Sequence, residues 1–180
     1  TTLRTNIEVL ARGRDLPEIE RSRILTDLTG QIEDLTDLVG DLVDLARDDT
    51  IEPAAELVPL GELVAESVDR ARRQWPRLRF TIEADASSVL ASPERLDRAV
   101  ANLVDNAAKW SPPEALVTIV VSEGTISVHD EGPGIAADDL PHVFDRFYRS
   151  RTARQMPGSG LGLAIVKQTA QQCGGTVEAV

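Results

Sequence analysis

Aromatic residues are scarce in this chain of 180 residues, where phenylalanine, tyrosine and tryptophan together make up only 3%. A core must therefore be built from aliphatic side chains, and the apolar fraction of 42% is that of a globular protein. The single cysteine, Cys173, excludes an intramolecular disulfide and fits a reducing compartment. No apolar run reaches the length of a membrane span, and none has the pattern of a signal peptide.

Basic residues are also in deficit. The chain has 19 lysines and arginines against 30 aspartates and glutamates, which gives a formal net charge of -11. A nucleic-acid surface would show a basic stripe, so this composition argues against a nucleic-acid partner. Any anion site must be built locally, against the field of the whole chain.

The first 50 residues carry the pattern of two helices joined by a short turn. Pro17 stands where the second helix begins, a position that tolerates proline. This second helix repeats apolar residues at alternating steps of three and four: Leu25, Leu28, Ile32, Leu35, Val39, Leu42 and Ala46. A seam this narrow needs a partner, so we predict a homodimeric four-helix bundle. The alternative is a helix packed on its own globular domain.

Beyond a linker, the pattern changes to mixed helices and strands. We predict a helix over residues 60–73 and another that opens with Ser92 as its cap and Pro93 in its first turn. Short strands are predicted at residues 57–58, 79–83 and 89–91, and a hairpin is predicted from strands 116–122 and 125–129. The second half of the chain therefore reads as an α/β module.

One predicted helix has an unusual polar face. Asn102, Asn106 and Lys109 are spaced by four and three residues, so they project from one side of a helix whose other side carries Leu103 and Ala107. Asparagine is a poor helix former, so two of them one turn apart suggest a function. A carboxamide oxygen can ligate Mg²⁺, and a lysine supplies positive charge for a phosphate. The alternative is an ordinary solvated face.

Two glycine-containing segments follow this helix. Asp130, with Gly132 and Gly134 after it, comes directly after a strand, and its carboxylate can accept a hydrogen bond from the exocyclic amine of adenine. Alone, this pattern is more typical of an acidic turn. Residues 158–163 (GSGLGL) open a helix and expose backbone N–H groups to an anion. They match neither a P-loop nor a dinucleotide-binding turn.

Between these segments lie Phe144 and Phe147 and a locally basic loop. Arg149, Arg151 and Arg154 stand among small and polar residues in that loop, and three arginines beside a glycine loop suit phosphate contacts. Solvated surface charge is the alternative.

Together and in this order, these segments resemble the ATP-binding domain of sensor histidine kinases, especially actinobacterial members. The resemblance covers nearly all of residues 55–180. It implies an α+β fold, the two-layer sandwich of the GHKL ATPase type, with a mixed, mostly antiparallel sheet against three helices and an all-α hairpin before it. The implied domains are a partial dimerisation and histidine-phosphotransfer hairpin at 1–50, a linker at 51–56 and an ATP-binding domain at 57–180.

The resemblance further implies that the chain binds ATP and Mg²⁺ and acts as a protein-histidine kinase. Asn106 and Asn102 would face the metal, and Lys109 would reach a phosphate. Asp130 would bind adenine, with Trp110 near the ring. The other implied nucleotide contacts come from the pocket wall, the lid and the glycine loop: Gly132, Gly134, Ile135, Phe147, Arg154, Gly158, Ser159, Gly160, Leu161, Gly162 and Leu163.

The same fold serves gyrase-type and chaperone ATPases, which carry a glutamate one turn before the Mg²⁺-binding asparagine. Asn102 stands at that position here, and a carboxamide cannot act as a general base. Phosphoryl transfer to a protein is therefore favoured over hydrolysis. Two alternatives stay open, a non-catalytic nucleotide-sensing module and a hydrolysing ATPase of the same fold.

The resemblance also bears on partners. The acceptor histidine of the family lies in the first hairpin helix, and alignment on the second helix places it before Thr1. His129 and His142 are expected to be structural or surface residues. We therefore expect this chain to donate phosphate without phosphorylating itself. The implied partners are a response regulator and a second copy of the chain, and the full-length protein is expected in the bacterial inner membrane with this part in the cytoplasm.

Overall fold

The computed structural model describes residues 55–150, 152, 153, 156 and 158–180, and six earlier positions: Pro17, Glu20, Arg21, Ile24, Leu25 and Leu28. At those early positions, the backbone N–H groups of Glu20 and Arg21 donate to the Pro17 carbonyl at 2.9 and 3.0 Å, a helical turn with proline at its start. The rest of the predicted hairpin and most of the predicted linker lie outside the described residues. The dimer and domain boundaries therefore stay predictions.

From residue 55 onward, the described residues form three helices and five strands: β1 (Glu56–Pro59), α1 (Leu60–Gln74), β2 (Arg79–Ala84), β3 (Ser88–Ala91), α2 (Pro93–Trp110), β4 (Leu116–Ser122), β5 (Thr125–His129) and α3 (Gly162–Gln172), with a 3₁₀ turn at Leu140–His142. Strand β4 pairs in parallel with β2 and antiparallel with β5, and β1 pairs antiparallel with β3 in a separate ribbon. The predicted α+β fold is confirmed. None of these helices has the length and apolarity that a membrane span needs.

The core lies between the three-stranded sheet and helices α1 and α2. On β4, Val117, Ile119 and Val121 are buried on the side that packs against the helices. The side chains of Val64 from α1 and Val104 from α2 meet them there. Burying one such aliphatic side chain contributes about 1.5–3 kcal/mol. This layer therefore fixes how α2 lies on the sheet.

Helix α2 begins as predicted, with a small difference in the side that it buries. Ser92 accepts a hydrogen bond from the Arg95 N–H at 3.5 Å, and Pro93 is the first helical residue. Leu103, predicted on the apolar face, is only half-buried. The buried residues are Ala99, Val100, Val104, Ala107 and Ala108. The helix contacts the sheet and α1 on one side and α3 on another, so its buried surface is wider than a single stripe.

The β4–β5 hairpin turns at Glu123 and Gly124, as predicted. Both have a positive φ, 52° and 78°, which two-residue hairpin turns of type I′ require. Asp85, after β2, accepts hydrogen bonds from the N–H groups of Ser87 at 2.9 Å and Glu123 at 2.8 Å. The pKa of Asp85 is lowered from its ordinary value of 3.8, chiefly by a hydrogen bond from the Ser87 side chain and further by the N–H groups of Glu123 and Ser87.

Candidate nucleotide site

The polar face of α2 lies against the glycine loop that opens α3. A Cβ atom added to Gly162 would stand 3.1 Å from Asn102 Oδ1, and one added to Gly158 would stand 2.9 Å from Lys109 Nζ. The carboxamide and the ammonium thus contact the two ends of this loop. A side chain at position 158 would displace the flexible end of Lys109, and the φ of +139° there also favours glycine.

Helix α3 presents an uncapped N-terminus at the same place. Leu161 occupies the N-cap position and offers no capping side chain. Its own side chain is completely buried, with 0% exposed, while its N–H donates to Ser159 Oγ at 3.2 Å. The first N–H groups of a helix lack intrahelical acceptors and carry the positive end of the helix dipole. The loop and the helix start therefore offer backbone donors to an anion.

Asn102 has a buried polar atom that nothing in the described part of the chain satisfies. Its Nδ2 is inaccessible to solvent and has no hydrogen-bond partner there. An unsatisfied buried amide costs about 1–3 kcal/mol, so this group suits a ligand. A half-turn of the amide exchanges the nitrogen for the oxygen, the atom that binds Mg²⁺.

The residues fit a magnesium ion that arrives with a nucleotide. Among the described residues, no group of three acidic, histidine or cysteine side chains could hold a metal by itself. Mg²⁺ commonly takes one or two protein oxygens and completes its shell with substrate phosphates and water. The amides of Asn102 and Asn106 match that donor set.

Asp130 is exposed directly after β5, and only one of its two carboxylate oxygens accepts a hydrogen bond from the described residues. Its Oδ1 accepts the Gly132 N–H at 2.7 Å, whereas its Oδ2 accepts no hydrogen bond from the described residues. A Cβ added to Gly132 would stand 2.6 Å from Asp130 Oδ1 and 2.9 Å from the Trp110 carbonyl oxygen. The turn therefore packs directly on the end of α2, which brings Asp130 and Trp110 together.

The loop between Phe147 and Gly160 is closed at its base by main-chain contacts. Phe147 has a φ of +64°, and its N–H donates to the Gly160 carbonyl at 2.9 Å. Its side chain is 58% exposed, so the contact is made by the backbone. The Arg149 guanidinium donates to the carbonyls of Ala153 and Met156, which indicates a role in bracing the loop. Arg151 and Arg154 lie outside the described residues.

The remaining predicted site residues, and His142, differ in their exposure. A Cβ at Gly134, whose φ is +73°, would meet nothing within 4 Å, and the Ile135 side chain is 42% exposed. Asn106 and Leu163 are half-buried. His142 is exposed and lies 3.0 Å from the Asp145 carboxylate through its Nδ1.

The sequence interpretation missed a contact that holds the polar face of α2. Asp105 Oδ1 accepts hydrogen bonds from the Trp75 indole at 3.1 Å and from the Gln74 amide at 3.5 Å. Both donors stand at the end of α1. The available indication was the tryptophan itself, because an indole N–H that becomes partly buried needs an acceptor.

A separate cavity of about 360 Å³ lies at the opposite ends of α1 and α2. Its lining includes the carboxylates of Glu62, Glu66, Glu94 and Asp97. This acidic lining is unsuited to a polyphosphate, and it shares no residue with the glycine loop. The candidate site for a polyphosphate is therefore the C-terminal half of α2 with the glycine loop, and not this cavity.

Residues 91–180 match the profile of the histidine kinase-, DNA gyrase B- and HSP90-like ATPase family, and the chain belongs to this family of ATPases. The structure is similar to that of a mycobacterial sensor histidine kinase MprB, with a TM-score of 0.61 and 39% identity over 67% of this chain and 80% of that one. Within the family, the chain is thus of the sensor histidine kinase type similar to MprB.

Two further relatives support this assignment. The histidine-protein kinase/phosphatase MprB of Mycolicibacterium vanbaalenii is 43% identical in an alignment that covers 98% of this chain and 39% of the relative. The ATP-binding domain of PrrB from Mycobacterium tuberculosis has a TM-score of 0.55 and 27% identity over 70% of this chain and 86% of that one. The chain therefore spans about two-fifths of the length of its curated MprB relatives.

Proposed function

We propose that this chain is the catalytic portion of a two-component sensor histidine kinase, which binds Mg-ATP and transfers the γ-phosphate to a histidine of the dimerisation domain. One observation carries the proposal: Asn102 and Lys109, from one face of α2, contact the two ends of the glycine loop at the start of α3. An ammonium, carboxamides and uncapped helix N–H groups converge there, and such an arrangement suits a polyphosphate.

The proposed roles follow from this arrangement. Asn106 and Asn102 bind Mg²⁺, which neutralises phosphate charge when bound. Lys109 and the N–H groups of residues 158–162 hold the phosphate tail, and Arg154 is proposed to reach it from the lid. Asp130 accepts the exocyclic amine of adenine through its open Oδ2. The adenine pocket is completed by Trp110, Gly132, Gly134, Ile135 and Phe147, and the turn into α3 by Leu163.

In this reaction the chain mainly positions the nucleotide and neutralises the charge of its phosphates. The bond from the γ-phosphorus to the bridging oxygen breaks, and ADP leaves with the electron pair. A phosphorus–nitrogen bond forms to the acceptor imidazole, which gives up its N–H proton to solvent. Asn102 cannot deprotonate a water molecule, so the site lacks the general base that hydrolysis would use at that position.

The partners belong to the same proposal. A second copy, joined through the N-terminal helices, completes the dimer, and a response regulator receives the phosphate from the histidine. The full-length protein is proposed to sit in the bacterial inner membrane, with this part in the cytoplasm.

Labelling in trans tests the proposal. The chain is mixed with γ-labelled Mg-ATP and a separate dimerisation hairpin that carries an acceptor histidine. We expect acid-labile label on the hairpin, and none on the chain itself. Release of inorganic phosphate without the hairpin would favour a hydrolysing ATPase, and ATP binding without either product would favour a nucleotide-sensing module.

A further inference from the structure

Asp105 stands on α2 next to the residues proposed to bind the nucleotide. Successive helical residues are rotated by about 100°, so Asp105 lies about 60° from Asn102 and about 40° from Lys109 around α2. It therefore marks the edge of the polar face. A change in the rotation of α2 at Asp105 would re-aim all three polar side chains.

The Asp105 carboxylate is held from outside the site. The Trp75 indole N–H donates to its Oδ1 at 3.1 Å, in a half-buried setting, and the Gln74 amide approaches the same oxygen at 3.5 Å. A hydrogen bond to an ionised acceptor is stronger and more directional than one between neutral groups. Trp75 also packs on the hydrophobic core, so its ring has little freedom to follow a movement of α2.

Near Asp105, the apolar packing of α2 is made by small side chains. The buried residues nearest to Asp105 are Val104, Ala107 and Ala108, which are small. Apolar burial is non-directional, whereas a hydrogen bond has a preferred geometry. The polar bond from α1 therefore adds a directional contact to this packing at the end of α2 that carries the site.

We propose that Asp105, held by Trp75 at the end of α1, is a positioning residue that fixes the rotation of α2 and thereby aims Asn106 and Lys109 at the Mg-ATP phosphates. The inference rests on the proposed function, because it concerns the same nucleotide site. It adds a residue pair that acts through others and that contacts no nucleotide itself.

A second polar contact between the same two helices provides a matched control. The Arg70 guanidinium bonds the Asp97 carboxylate, both side chains being more than two-fifths exposed. Asp97 precedes Asn106 by nine residues, about 13 Å along the helix. Arg70→Ala thus removes a contact between α1 and α2 without touching the end of α2 that carries the site.

The experiment measures Mg-ATP affinity by calorimetry for the parent, Trp75→Phe, Asp105→Ala, Asp105→Asn, the double variant Trp75→Phe/Asp105→Ala, and Arg70→Ala. We expect Trp75→Phe and Asp105→Ala each to weaken Mg-ATP binding about five- to tenfold. The double variant should bind no more weakly than Asp105→Ala, because the two substitutions remove the same contact between Trp75 and Asp105. Asp105→Asn keeps an acceptor oxygen and should restore most of the affinity. Arg70→Ala should bind as the parent does.

Unfolding by urea and the indole resonances of the two tryptophans accompany the titrations. The Trp75 indole signal should move in Asp105→Ala, which shows that the contact exists in solution. Should Asp105→Ala fail to fold, Trp75→Phe and Asp105→Asn carry the test. Three results would overturn this inference while leaving the proposed function in place. They are parent-like binding by Trp75→Phe, additive losses of affinity in the double variant, and a loss in Arg70→Ala as large as that in Asp105→Ala. A parent that binds no Mg-ATP would overturn the proposed function as well.

Discussion

Gly132 has no side chain, and this lets the turn that carries Asp130 pack closely on the end of α2. Its N–H orients Asp130, and its Cα packs against the Trp110 carbonyl, so the space for a Cβ is already filled by two oxygen atoms at 2.6 and 2.9 Å. Distances below 3.0 Å are not met by real Cβ atoms. One of the two neighbours must therefore move if Gly132 is replaced.

We expect Gly132→Ala to weaken Mg-ATP binding about tenfold or more, because Asp130 would be pushed out of the position in which Oδ2 is open. Fold stability should fall by about 1–3 kcal/mol. Titration calorimetry and urea unfolding check the two values. Gly124→Asn is the control, since asparagine tolerates a positive φ and this hairpin turn lies away from the site. Equal affinity of Gly132→Ala and the parent would contradict the role given to this turn.

At the scale of elements, the hairpin of β4 and β5 was predictable to the residue. Glu123-Gly124 breaks two alternating runs, and the turn geometry follows from that pair alone. The start of α2 was equally accessible, because Ser92 and Pro93 are local signals. In each case the deciding interactions lie within a few residues along the chain.

The contact between Trp75 and Asp105 was not predictable in the same way. These residues are 30 positions apart, and they meet only because α1 and α2 pack side by side on the sheet. The half-buried state of Leu103 also depends on what packs next to it. Sequence spacing gives the face of a helix, but tertiary packing sets its rotation.

Asp85 joins two elements, and its effect depends on pH. The loop before β3 and the β4–β5 turn both donate to its carboxylate, so the charged form is favoured in the folded state. The lowered pKa of Asp85 means that this stabilisation is fully present above the unfolded value of 3.8 and is lost as the pH falls through the lower folded value.

We therefore expect Asp85→Asn to be less stable than the parent at pH 7, with a difference that narrows as the pH falls below 3.8. Urea unfolding at several pH values measures this trend. Asp138→Asn, on an exposed loop, serves as the control. A stability difference that stays constant down to the lowest pH would show that the Asp85 charge is not what holds the hairpin.

At the scale of the whole molecule, the proposed site is locally positive although the chain as a whole is strongly negative. The formal charge is -11, yet Lys109 and the N-terminus of α3 place positive charge at one spot beside the glycine loop. The negative potential of the acidic surface repels a polyphosphate at long range. The affinity for the nucleotide must therefore come from short-range contacts. The composition predicted that an anion site would have to be built locally. The atoms that build it, in Lys109 and the start of α3, were identified only in the folded structure.

Nucleotide binding at Asp130 is the central property of the proposed site. Calorimetry with Mg-ATP on the parent, Asp130→Ala and the control Asp138→Ala measures it directly. We predict saturable binding by the parent and the control, and at least tenfold weaker binding by Asp130→Ala, equivalent to about 1.4 kcal/mol for one lost hydrogen bond to adenine. No binding by the parent, or parent-like affinity in Asp130→Ala, would contradict the site described above.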